Sequence, residues 1–189
     1  VDYVLFKRTL DENLRLLSIE ENEFSKIKSY IPFSDYIYQL EKTRRRGVYP
    51  DSKDVAMKLT ATSKQVQQSI KSLKDGAEIE KNLADRAEAT VRGLDAALRS
   101  VYNFYNSYDP QFSWWVPEPY KELDSLLNSY AGLFKTKVPK EKLQKDDGSG
   151  IVGNPIGRDE LIRQLRYEMI PYTPEELIDM ANKEFAWCD

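Results

Sequence analysis

Apolar residues in this chain recur three and four positions apart, stretch after stretch, without sustained alternation. That period gathers them on one face of an α-helix, whereas a half-buried strand needs strict alternation. Tyr3, Phe6, Leu10, Leu14 and Leu17 form the first such face and predict a strongly amphipathic helix. Ile31-Pro32-Phe33 interrupts the pattern. Ser34 is the expected cap of a shorter helix with Ile37 and Leu40 inward, ending near Arg46-Gly47. After a turn and cap at Tyr49-Pro50-Asp51-Ser52, the period resumes through Val55, Leu59, Val66, Ile70 and Leu73. Gly76 either ends that helix or loosens it. The longest pattern runs from Leu83 through Val91 and Leu98 to Tyr105, and stops before Asp109-Pro110. Its small residues, Ala84, Ala87, Gly93, Ala96 and Ala97, would let a neighbouring helix approach closely.

Pro119 is placed to start a further helix, with Leu123, Leu126, Leu127, Tyr130 and Leu133 inward. The final pair is predicted over Asp159 to Met169 and from Pro174 onward, split by Pro171. Thr173 is its N-cap, and Glu176 three residues later completes a capping box. No Gly, Asn or Pro follows Cys188 to close the last helix. With Val as the first residue, this gives the expectation of a portion of a longer protein that continues past Asp189. The expected class is all-α: a single helical domain over residues 1–189, an antiparallel, bundle-like array with long helices. Residues 136–155, rich in Lys, Asp and Gly, are the expected exposed, mobile connector.

Composition narrows the chemistry. The chain has 189 residues, 41% hydrophobic and 31% charged, enough for a real core. A net charge of -3 argues against a general nucleic-acid binder. No apolar run approaches the roughly 20 residues of a membrane span. There is no His and one Cys. A zinc site of the usual His/Cys type therefore cannot be built from this chain alone, nor a Ser–His or Cys–His nucleophile pair. A single Cys and no Asn-x-Ser/Thr acceptor fit a reducing compartment, with the cytoplasm favoured.

Few motifs carry chemistry. "GSGIVG", Gly148 to Gly153, matches a dinucleotide fingerprint in letters only, since "KEKLQKDD" and not a strand precedes it. "TRRRG" reads as a solvated helix end, where the dipole favours cations. Glu175 and Glu176 suit a helix start for the same reason, which leaves Glu160 and Glu168 as the remaining nearby carboxylates. Arg158 opens a helix where the dipole disfavours a cation, so a salt-bridge partner is expected. Cys188 reads as a small buried hydrophobe. The stretch "YDPQFSWWVPEPY" is the most specific. Phe112, Trp114, Trp115 and Tyr120 stand among three prolines, either as a corner that plugs the core or as an aromatic shelf for a ligand.

Four stretches together, "VDYVLFKRTLDENLRLL", "YDPQFSWWVPEPY", "GNPIGRDELI" and "YEMIPYTPEELIDMANKEFAWCD", resemble the domain-of-unknown-function 885 family. The likeness runs from the first residues to the last in matching order. Its members are mostly uncharacterised, much longer, helical, and similar to zinc peptidases. Their zinc motif, a His-Glu pair followed by Pro-Gly-His, comes well after the "FAWC" segment. The resemblance therefore implies the N-terminal helical portion of a zinc-dependent peptidase or hydrolase, inactive alone. No catalytic and no metal residue is assigned within this chain, and zinc would belong to the full-length protein. Trp114, Trp115, Tyr172 and Arg158 are the candidate substrate-cleft residues. The expected partners are the remaining C-terminal part and a second copy through exposed core, with neither nucleic acid nor membrane. The alternative is a helical interaction module that uses the aromatic 112–120 corner or the C-terminal helix. A carboxylate-only enzyme ranks last, because no paired acids stand out along the chain.

Overall fold

The computed structural model describes residues 2–139 and 156–188. Among them are eight α-helices, one 3-10 turn and no strand. The chain divides into two compact units, residues 1–143 and 144–189.

In the first unit, α1 (Asp2–Ile27) leads through the 3-10 turn Lys28–Tyr30 to α2 (Ser34–Arg45), α3 (Ser52–Asp75) and α4 (Lys81–Tyr105). The short α5 (Pro110–Trp115) and α6 (Pro117–Thr136) complete it. α6 packs on both α3 and α4, and α2 packs on α4. The core lies where these faces meet: Val55, Leu59 and Val66 of α3, Val91, Leu94 and Leu98 of α4, and Leu123, Leu127 and Phe134 of α6. Edge-on rings knit its end, with Tyr30 against Phe134 and Phe33 against Tyr130, both under 6 Å between centroids.

Local chemistry explains most boundaries. Asp51 caps α3 by accepting from Asp54 N–H at 2.8 Å. α2 stops at Gly47, whose φ of +66° suits glycine. Gly47 N–H returns to Arg44 O and Val48 N–H to Thr43 O, which satisfies two orphan carbonyls. α3 stops before Gly76, where a Cβ would come within 3.0 Å of Ser72 O. Ser34, expected as a cap, is instead the first helical residue, and no side chain caps α2. α6 starts at Pro117, one turn-fraction before Pro119. Both prolines are tolerated because the first N–H groups of a helix have no intrahelical partner.

Two expectations about faces are corrected. α1 is helical, yet Tyr3, Phe6, Leu10, Leu14 and Leu17 are all exposed, and its only buried residue is Ile27 at the end. Its link to α4 includes the Arg86–Glu20 ion pair at 2.5 Å. Of the small residues in α4, Ala84 and Ala87 are buried, while Gly93 and Ala96 face outward and admit no close neighbour.

The stretch expected as a connector begins inside the first unit. Lys137 Nζ donates to Lys74 O and Gly76 O, at 2.8 and 3.0 Å, and so closes the end of α3. Val138 packs against the core. Residues 140–155, with "GSGIVG", lie outside the described residues.

The second unit contains α7 (Arg158–Tyr167) and α8 (Pro174–Cys188). None of their residues is buried. The capping box forms as expected: Glu176 N–H donates to Thr173 Oγ1 at 3.2 Å, and Thr173 N–H to Glu176 Oε2 at 2.7 Å. α7 ends with Met169 at φ +59°, the place a glycine usually takes. Phe185, Trp187 and Cys188 are exposed, so the reading of Cys188 as buried does not hold within this unit.

Candidate functional site

The aromatic corner is built around α5. Asp109 caps it, with Oδ1 accepting from the N–H groups of Gln111 and Phe112 at 2.8 and 3.2 Å. Phe112 and Val116 follow one helical turn apart and are both 1% exposed, so they anchor the turn in the core. Phe112 meets the Tyr105 ring at 5.2 Å, and Tyr102 stacks on Tyr120 at 3.8 Å. Trp114 and Trp115, on the outer side, stand 79% and 43% exposed. Phe112 thus plugs the core, while the two tryptophans stand exposed beside it as a shelf of ring surface.

The shelf borders a recess of about 650 Å³ lined also by Asp51, Lys53, Pro110 and Gln111. Lys53 Nζ lies 4.9 Å from the centre of the Trp115 ring, a cation–π contact. Asp51 is committed to capping α3. What the recess offers is ring area, one cation and one amide. Such a surface suits binding; it holds no acid–base pair.

In the second unit, Arg158 grips Glu175 through both guanidinium nitrogens, with Nη2 to Oε2 at 3.0 Å. That is the expected partner, and it ties the start of α7 to the start of α8. The Arg158 hydrogen bond comes first among the causes that hold Glu175 below the usual carboxylate range. The Arg158 guanidinium is thus engaged by Glu175 in an exposed, two-point ion pair. Tyr172 is half-exposed in the turn before Thr173. Two of the three "TRRRG" cations are spent locally. Arg44 and Arg45 donate to Glu41 at 2.8 and 2.9 Å and hold its carboxyl down at about 2.

The structure brings together a pair that a linear reading misses. Asp95 of α4 and Asp124 of α6 meet, and Arg99 Nη2 reaches both, at 3.0 and 3.2 Å. Tyr120 Oη donates to Asp124 Oδ1 at 3.3 Å, and Asn128 Nδ2 to Asp124 O at 2.9 Å. Asp95 is 8% exposed, and its Oδ1 has no partner among the ordinary donors. Burial, then the Asp124 charge and a carboxyl hydrogen bond to it, push Asp95 up to about 6 against the pull of Arg99. The signal was present: Asp95 sits among Val91, Leu94 and Leu98, at a core-facing position. Glu88 is a second such case. Burial works against its charge, yet hydrogen bonds from Arg92 and Lys135 leave it lowered.

Among the described residues, none are grouped in a way that fits the zinc that the resemblance implies for the full-length protein. His is absent from the sequence, and the described residues contain no cluster of three His, Cys, Asp or Glu. The Asp95–Asp124 pair already has a cation, the Arg99 guanidinium, bridging it. No helix among the described residues is long and apolar enough to cross a membrane. Comparison with protein-family models, with curated proteins and with solved structures finds no match to this chain.

Proposed function

We propose that this chain is the non-catalytic helical portion of a zinc-peptidase-like hydrolase, and that its part is to hold and orient substrate. The four matching stretches support the family reading, and the His-free composition agrees with chemistry supplied elsewhere. The observation that carries the contact role is the α5 shelf. Trp114 is held fully outward by a six-residue helix whose neighbours Phe112 and Val116 are locked in the core. Exposing a large ring from a rigid mount serves recognition more than stability. The test is a peptide-library digest followed by mass spectrometry, with the pure chain, in the presence of zinc. Peptides are expected to survive as they do in buffer. Cleavage that follows the protein's concentration through a sizing column would overturn the proposal.

A second reading, a helical interaction module, is favoured by the uncovered apolar faces of α1 and α8. It requires that one partner be captured equally by this chain and by a longer form of the protein. Capture by this chain alone would mean that those faces are core awaiting cover.

A further inference from the structure

The recess beside α5 keeps hydrogen-bonding groups that the fold does not use. Asp51 caps α3 with Oδ1 alone, and its Oδ2 makes no hydrogen bond among the described residues. The side-chain amide of Gln111 makes none there either, and Lys53 forms no ion pair. An acceptor, an amide that both donates and accepts, and an ammonium donor thus share one recess with Trp114 and Trp115. Lys53 Nζ lies over the Trp115 ring, so that indole already has a partner on one face. Trp114, 79% exposed and in no ring or cation contact among the described residues, is the open platform. At about 650 Å³ the recess falls in the range of small-ligand sites, about 300–1,000 Å³.

We propose that this recess binds a neutral sugar, a hexopyranose ring laid flat on the Trp114 indole with its hydroxyls turned to Asp51, Lys53 and Gln111. A pyranose with equatorial hydroxyls has faces made of C–H groups, which an exposed indole face matches. Its vicinal hydroxyls each donate and accept. One ring can therefore donate a hydrogen bond to Asp51 Oδ2 and accept one from Lys53 or from the Gln111 amide. The platform needs little ordering on binding, because Phe112 and Val116 hold α5 in the core. The inference rests on the contact role of the shelf proposed above, whose ligand class it names, and not on zinc chemistry.

Two other ligands stack on indoles, and the same polar groups count against each. A nucleic-acid strand brings a phosphate with every base. The recess has one cation, offset by the Asp51 charge, in a chain of net charge -3. A proline-rich segment docks in aromatic grooves. Its prolines carry no N–H, so the acceptor-only Asp51 Oδ2 would face a ligand poor in donors. A sugar satisfies the open ring face and all three polar groups at once.

The test is an NMR titration of the whole chain with cellotetraose, read at the indole N–H signals. Saturable shifts are expected at Trp114 and Trp115, while the exposed Trp187 stays unmoved. Sorbitol, which has the hydroxyls without the ring, should shift none of them. The shifts should persist from about 0.05 to 0.5 M salt, as neutral recognition requires. Trp114→Ala should bind at least about tenfold more weakly. Gln111→Ala, at an exposed site, should bind about fivefold more weakly, and Trp187→Ala as the parent does. No saturable shift, equal shifts with sorbitol, or tighter binding of a proline-rich peptide or a thymidine oligonucleotide at the same indoles would each overturn the inference. The hydrolase reading fails by a different signal, cleavage by the pure chain, so the two can fall separately.

Discussion

Asp95 occupies a core position of α4 with one carboxylate oxygen unpaired, and it makes its own contribution to the pH behaviour of the fold. Asp124, Arg99, Asn128 and Tyr120 are the groups around the pair. Its folded-state pKa, about 6, stands above its ordinary value of 3.8. Between those values the folded chain keeps a proton that the unfolded chain has released. Stability from this group therefore falls as pH rises through that window and is level on either side. Asp95→Asn should flatten this slope and raise stability near pH 7 by about 1–2 kcal/mol. The full shift corresponds to roughly 3 kcal/mol, and the half-exposed Arg99, already able to turn to Asp124, reduces what is recovered. Urea unfolding at pH 4, 5.5 and 7 measures it. A variant that is less stable than the parent at pH 7 would show that the charged pair with Arg99 contributes more than burial costs. The Asp95 position was readable as an acid on an apolar face. Its partner was not, because Asp124 lies on another helix and only packing joins them.

At the scale of the helix, α5 separates mounting from display. Phe112→Ala removes a ring 1% exposed that touches Tyr102 and Tyr105, and should cost about 3–5 kcal/mol. Trp114→Ala, at a residue 79% exposed, should stay within about 0.5 kcal/mol of the parent. Thermal and urea unfolding of both variants checks the contrast. Equal losses would mean that Trp114 belongs to the core. The sequence revealed helices where they were long and where their ends had chemistry: Thr173 and Glu176 start α8, and Gly47 stops α2. It did not reveal α5, because six residues span under two turns and show no period. Nor did it tell which of the four neighbouring rings is inside. That follows from Asp109 fixing the register of the turn, which sends Phe112 inward and Trp114 outward.

At the scale of the whole molecule, the first unit has a continuous core and the second has none among its described residues. Periodicity announced an apolar face on α1 and on α8 but could not say what covers it; period reports a stripe, not a neighbour. The five α1 residues from Tyr3 to Leu17 are in a helix as expected and open to solvent against expectation. The all-α class was legible throughout, because each long helix carries its own stripe. The recess beside Trp114 was not, since Asp51, Lys53 and Gln111 read as ordinary cap and surface residues until packing sets them around the indoles. Under the proposed function, this chain contributes shape and contact and leaves metal chemistry to other residues. Calorimetric titration of the pure chain with zinc at neutral pH tests that most directly. The expected result is no stoichiometric heat and no rise in Tm with added zinc. One tightly bound zinc per chain would contradict it.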